Sequence, residues 1–191
     1  MRVIAGKYRS RKLNAPEGQS TRPTSDRLRE TLFNVLASRG GLSGASFLDL
    51  YAGSGAVGIE AISRGATNVW MVEESEPAIR ILRGNLNALG IREGVQIEHR
   101  SVLSFLKRKQ MAVAKFSIIY LDPPYDAAEE YKSTLGMLGG ESFKQLAPNA
   151  LVVVEHRRND KNLKLTEEYG RLRRTRVLEQ GDAALSFYSI F

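Results

Sequence analysis

The apolar run Phe116–Leu121 stops at Asp122-Pro123-Pro124-Tyr125. Two consecutive prolines offer no N–H to a ladder, so a central strand ends here. A carboxylate, a rigid turn and an aromatic ring are thereby set at the carboxyl end of a strand, the edge at which open α/β sheets bind ligands. The group suits an exocyclic amine on a flat base, whose lone pair is delocalised into the ring. Asp122 can accept one N–H and the Pro123 carbonyl the other, while Tyr125 stacks on the base. Held in this way, the nitrogen can turn its lone pair toward an electrophile; the gain is orientation plus stabilisation of a nitrogen that becomes positive. In isolation the motif also reads as a stiff turn with a helix-capping Asp.

A second constellation lies upstream. Gly53, Gly55 and Gly58 match G-x-G-x-x-G between a predicted strand and helix, and Glu73 follows Gly53 by twenty residues. In nucleotide-binding folds an acid at that spacing takes the ribose hydroxyls. Asp49 stands four residues before Gly53. Its negative charge disfavours a diphosphate at the helix N-terminus and suits a cationic cofactor with an amino acid end, which points to S-adenosylmethionine. The plainer roles are a carboxylate that ties down the glycine loop for Asp49, compatible with the first, and a solvated strand end for Glu73. Glu74 is an adjacent alternative for the ribose.

Charge is distributed unevenly. The net charge is +7, and residues 1–29 carry eight basic against two acidic side chains. Arg2, Lys7, Tyr8, Arg9, Arg11, Lys12 and Arg22 form a candidate RNA-binding arm, with Tyr8 available for stacking. An ordinary solvated basic tail is the competing reading. The absence of cysteine excludes disulfides and thiolate metal sites, and no metal is expected. No apolar run approaches a membrane span of roughly 18 residues, and the first residues carry no secretory h-region. The expectation is a soluble, cytoplasmic monomer.

These residues need elements to position them. Leu28, Leu32, Val35 and Leu36 recur at helical spacing through about Ser38. Strands are predicted at 46–51, 68–72, 94–99, 116–121 and 150–155, with helices near 56–64, 76–89, 101–109 and 128–146, the last with a candidate break at Gly139-Gly140. Segments 171–179 and 183–191 read as a hairpin around Gly181-Asp182. Strand–helix alternation predicts an α/β fold with a mostly parallel sheet covered on both faces. The arm, 1–24, is expected as a small N-terminal β-hairpin from its strand-like pieces Arg2–Ala5 and Arg11–Leu13; 25–191 is expected as one domain that includes its leading helix.

With these motifs assembled, the chain resembles the class I S-adenosylmethionine-dependent methyltransferases, and more closely the RsmD family. The resemblance rests on Arg2-Val3-Ile4-Ala5-Gly6-Lys7-Tyr8, Arg11-Lys12-Leu13, Thr21–Arg27, Asp49–Gly55 and Asp122–Tyr125. It implies a Rossmann-like, seven-stranded sheet ending in a β-hairpin with one antiparallel strand. It also implies methylation of guanine N2 in 16S ribosomal RNA, within the small subunit or its assembly intermediate. Such enzymes often carry an acid after the third strand that contacts the adenine amine; here the matching position is Ser101. Rival readings are an adenine-N6 or cytosine-N4 methyltransferase, an NAD-dependent oxidoreductase, and a non-catalytic RNA-binding module of the same fold.

Overall fold

In a computed structural model describing residues 1–15, 25–108, 115–124 and 127–191, one sheet organises the chain. It is built from β1 (Ser46–Leu50), β2 (Asn68–Glu73), β3 (Val95–His99), β4 (Phe116–Leu121), β5 (Leu146–Arg157), β6 (Glu168–Tyr169), β7 (Leu172–Gln180) and β8 (Ala183–Ile190). Their spatial order is β3-β2-β1-β4-β5-β8-β7-β6. The first five pair in parallel. β8 inserts antiparallel between β5 and β7, and the two-residue β6 closes the edge beyond the seven strands expected. The central parallel strands β1, β4 and the middle of β5 are buried on both faces, which is why they read as apolar runs, whereas edge strand β3 has no buried residue.

Helices α1 (Asp26–Ser38), α2 (Ala56–Ser63), α3 (Glu76–Leu89), α4 (Val102–Leu106) and α5 (Ala128–Gly139) cover the sheet. One core cluster gathers α1, α2 and α3 with Phe47, Met71, Tyr120 and Val153; the other gathers α4 and α5 with Leu48, Leu50, Ile119 and Val154. Side chains alternate between sheet faces, so the two clusters are the two sides of one layer.

Two elements differ from expectation. The helix predicted over 128–146 stops at the Gly139-Gly140 pair expected as its break point, where a Cβ on Gly139 would lie 1.7 Å from the Tyr169 carbonyl oxygen. Close approach of the backbone of a distant segment ends it, and β5 starts at Leu146 rather than 150. The helix predicted over 101–109 is a single short turn, α4, capped by Ser101.

The first residues form a hairpin with one antiparallel bridge, Arg2 to Lys12, flanked by Val3 N–H to the Arg11 carbonyl at 3.0 Å and Ser10 N–H to the Val3 carbonyl at 2.9 Å. Val3 and Leu13 join the core. The hairpin rests on α2: the Ile4 and Ala5 amides donate to the buried Glu60 carboxylate at 2.7 and 3.0 Å, and Lys7 N–H to the Ser63 carbonyl at 2.8 Å. Gly6, at φ +81°, lies where a Cβ would come within 1.9 Å of the Ser63 carbonyl oxygen.

Candidate active site

Strand register brings the predicted residues to one edge. Glu73 pairs with His99, Leu50 with Val72, and Leu50 with Leu121. One level therefore runs as a row across β3, β2, β1 and β4: His99 and Glu73, the last residues of their strands, then Tyr51 and Asp122, the first residues after theirs. β4 then pairs Leu121 with Val154, which sets Glu155 of β5 beside Asp122.

Within that row the glycine loop is held by both predicted acids. Asp49 is buried, and its Oδ2 accepts the Gly58 N–H at 2.9 Å. Burial pushes its carboxyl up to about 8, against the lowering effect of the Gly58 bond, and nearby Glu73 adds to the rise. Glu73 accepts the Gly53 N–H on Oε2 at 2.8 Å and the Ser75 N–H on Oε1 at 2.7 Å. Gly58 is required for close packing, since a Cβ there would lie 2.7 Å from the Met71 methyl carbon. Gly55 takes φ +78° as the residue before α2. Gly53, at φ +55°, faces open space, with no heavy atom within 4 Å of where a Cβ would stand. An open backbone approach beside a half-buried carboxylate with unused lone pairs fits a ribose-bearing cofactor with a cationic amino acid end. Asp49, Gly53, Gly55, Gly58 and Glu73 are the residues that would hold it.

Ser101 lies two residues beyond β3 at the same edge, and its hydroxyl accepts the Ser104 N–H at 3.4 Å as the cap of α4. Its hydroxyl proton stays available to an acceptor such as a purine nitrogen.

Asp122 is half-buried and Pro123 buried at the end of β4. The Pro123 carbonyl accepts the hydroxyl proton of the buried Tyr131 at 3.2 Å, leaving one lone pair for a substrate amine. Tyr125 lies outside the described residues, as does Arg22.

The six described arm residues differ in surroundings. Arg9 and Lys12 are exposed; Lys7 stands over the Tyr8 ring at 5.3 Å. Arg2 lies 3.9 Å from Asp26, and Arg11 donates to the Ala88 carbonyl at 3.3 Å. Tyr8 is half-buried against the core, so less of its ring is offered for stacking than an exposed tyrosine would present.

Three residues escape the motif reading. Tyr51, at φ +64°, shares a hydrogen bond with Thr134 of α5 at 2.9 Å and ties the glycine loop to the helix that follows Asp122. Asn85 of α3 donates to the Ser54 and Asn14 carbonyls at 2.9 and 3.0 Å, joining loop and arm. Glu155 accepts from the Tyr120 hydroxyl. Glu155 at the end of the apolar run of β5 was the available signal; Asn85 sits in a mixed polar and apolar helix where nothing local marks it. Among the described residues no cluster of three or more His, Asp or Glu is arranged to hold a metal ion, and no helix is long and apolar enough to cross a membrane.

A glycine loop after β1, an acid ending β2, and Asp-Pro-Pro ending β4, on a parallel sheet with one long antiparallel insertion, define the class I methyltransferase fold. The chain belongs to the family described as Conserved hypothetical protein 95, the RsmD family, matched over residues 1–189. It is 34% identical over 188 residues to Bacillus subtilis YlbH, covering 98% of each chain. It is 36% identical over 155 residues to the Escherichia coli protein named Ribosomal RNA small subunit methyltransferase D, covering 81% of this chain and 74% of that one. The solved structure of Escherichia coli yhhF superposes with a TM-score of 0.83 at 33% identity, covering 100% of this chain and 97% of that one.

Proposed function

We propose that this protein transfers a methyl group from S-adenosylmethionine to the exocyclic N2 of a guanine in 16S ribosomal RNA of the small subunit. The observation that carries the reading is the adjacency of Asp122 to the glycine loop: Asp122 and Tyr51 follow the paired residues Leu121 and Leu50, and Glu73 lies one strand further on. A base amine held at Asp122 is thus one strand from the groups that suit the cofactor.

The cofactor supplies an electrophilic sulfonium methyl. Asp49, through Gly58, fixes the loop that receives its amino acid end; Glu73 accepts from its ribose. The Asp122 carboxylate and the remaining lone pair of the Pro123 carbonyl accept the two N2 hydrogens, which aims the nitrogen lone pair at the methyl carbon. Bound there, the sulfonium would supply its methyl to N2 and leave as the neutral thioether S-adenosylhomocysteine, and water or Asp122 would take the N2 proton. The target base must first leave its stack, and arm cations bound to phosphates orient the strand. The names of the relatives support ribosomal RNA as substrate, and the unlike surroundings of Asp49 and Asp122 support separate cofactor and amine roles.

The test is incorporation of labelled methyl into naked 16S RNA and into small-subunit particles, followed by nucleoside identification. N2-methylguanosine is expected. N6-methyladenosine or N4-methylcytidine would decide for the other amine chemistry, and RNA binding without incorporation for a non-catalytic module.

A further inference from the structure

Most of the net charge lies in the arm, but the fold assembles a second basic surface at the same edge from residues distant in sequence. β5 runs past Glu155 to Arg157, so the segment after it leaves the sheet beside Asp122. That segment is anchored. Leu163 and Leu165 pack against the core cluster of α5, Arg158 N–H donates to the Asp182 carbonyl at 2.8 Å, and the Tyr188 hydroxyl donates to the Thr166 carbonyl at 2.9 Å. Its inward leucines leave Lys161, Asn162 and Lys164 exposed. Between Asn162, Leu163, Lys164, Thr166 and Tyr169 on one side and Ala128, Glu129 and Lys132 of α5 on the other lies a cleft of about 290 Å³.

The arginines nearby are already paired: Arg158 with Glu179 at 2.9 Å, Arg173 with Glu168 at 2.9 Å, and Arg174 with Glu167. Lys132, Lys161 and Lys164 have no ion pair among the described residues. Lys132 and Lys164 line the cleft and Lys161 is exposed next to Asn162 of its lining, so three ammonium groups stand against one carboxylate, Glu129; the excess favours a phosphate, since each ammonium is a point charge with three donors. The volume is at the low end for small-ligand sites, enough for a single nucleotide and too small for a folded helix.

Position supplies the second argument. The arm packs on the α1–α2 face through Val3, Leu13, Met1 and Tyr8, whereas Leu163, Leu165 and Tyr169 pack on the α5 face. The two basic surfaces therefore flank the Asp122 edge from opposite sides of the sheet. Resting on the methyltransferase reading, we infer that the Lys132–Lys164 cleft, with Lys161 beside it, is a second RNA-binding site, one that holds a nucleotide flanking the target guanine across the catalytic edge from the arm. A strand pinned at both sides of the flipped base cannot swing away from Asp122, which either anchor alone would permit.

The decisive variant is Lys132→Ala/Lys161→Ala/Lys164→Ala, compared with Lys144→Ala, an exposed lysine just before the amino end of β5. For single-stranded RNA spanning the methylated guanine, the slope of log affinity against log salt should become shallower by about 0.7 for each lysine–phosphate pair removed, up to about 2 in all. On small-subunit particles kcat/KM should fall, while S-adenosylmethionine affinity and melting temperature hold; Lys144→Ala should match wild type. A triple variant with wild-type slope and kcat/KM overturns the second RNA-binding site and leaves the methyltransferase reading intact. A wild-type protein that neither binds nor methylates RNA overturns both.

Discussion

The buried carboxylate of Asp49 accepts the Gly58 N–H at 2.9 Å, so the residue next to the end of β1 also fixes the last glycine of the cofactor loop. With its carboxyl pushed up to about 8 by burial, the folded ligand-free protein binds a proton there that the unfolded chain releases near pH 4. Stability from this group is therefore greatest below about pH 4 and declines as pH rises toward 8. A cationic ligand favours the carboxylate, lowers that pKa and releases the proton. S-adenosylmethionine affinity should accordingly rise with pH up to about 8 and then level off. Calorimetry at pH 7 in buffers of different ionisation enthalpy should show proton release, and Asp49→Asn should abolish it; affinity independent of pH would refute the linkage.

Glu73→Ala removes the acceptor for the Gly53 and Ser75 amides as well as the proposed ribose partner, so cofactor binding should weaken by roughly 1.5–3 kcal/mol. Glu73→Gln keeps one amide acceptor and should fall between. Titration with S-adenosylmethionine and with NAD checks both the effect and the preference; tight NAD binding would reverse the cofactor assignment.

Asp122→Ala should lower turnover on the order of 10²–10³-fold with cofactor affinity nearly unchanged. Asp122→Asn keeps an acceptor without the charge and should retain part of the activity. Single-turnover methylation read beside cofactor titration separates the two effects. Wild-type rates for Asp122→Ala would reduce the motif to a turn.

Replacing Lys7, Arg9 and Lys12 by alanine spares Arg11, which is bound to Ala88. The salt slope for RNA should become shallower by about 0.7–0.9 for each cation–phosphate pair removed, and melting should move little, as exposed changes rarely exceed about 0.5 kcal/mol. An unchanged slope would make the arm a solvated tail as far as RNA is concerned.

Gly6→Ala should lower stability by about 1–3 kcal/mol, because a hairpin displaced from Ser63 takes the Ile4 and Ala5 amides off buried Glu60. Gly84→Ala, within α3 where a Cβ meets nothing, should instead raise it by roughly 0.5–1 kcal/mol. Urea unfolding of the pair distinguishes a docking requirement from a general sensitivity at glycine.

The parallel strands and the acid spacing could be read directly because burial on both faces and the glycine geometry each leave a local trace. Glu73 at twenty residues from Gly53 is such a case: the spacing is one crossover, and the carboxylate meets the Gly53 amide. What stayed hidden depends on residues distant in sequence. Nothing near Gly139 reveals that Tyr169 will press on it, nothing near Pro123 reveals that Tyr131 will occupy one of its lone pairs, and the lysines around the second cleft come from two separated segments. Local charge counting favoured the arm because its cations are contiguous.

Asn85 spans two parts of the molecule with one amide group: its Oδ1 accepts the Asn14 N–H at 2.8 Å, and its Nδ2 donates to both Asn14 and Ser54. A polyanion bound to the hairpin would therefore act on the same side chain that holds the Ser54 carbonyl of the glycine loop. Binding linkage is reciprocal, so whatever factor RNA imposes on the cofactor dissociation constant, the cofactor imposes on that of RNA. Both halves of that thermodynamic cycle are measurable, and Asn85→Ala is the substitution that should drive the shared factor toward one.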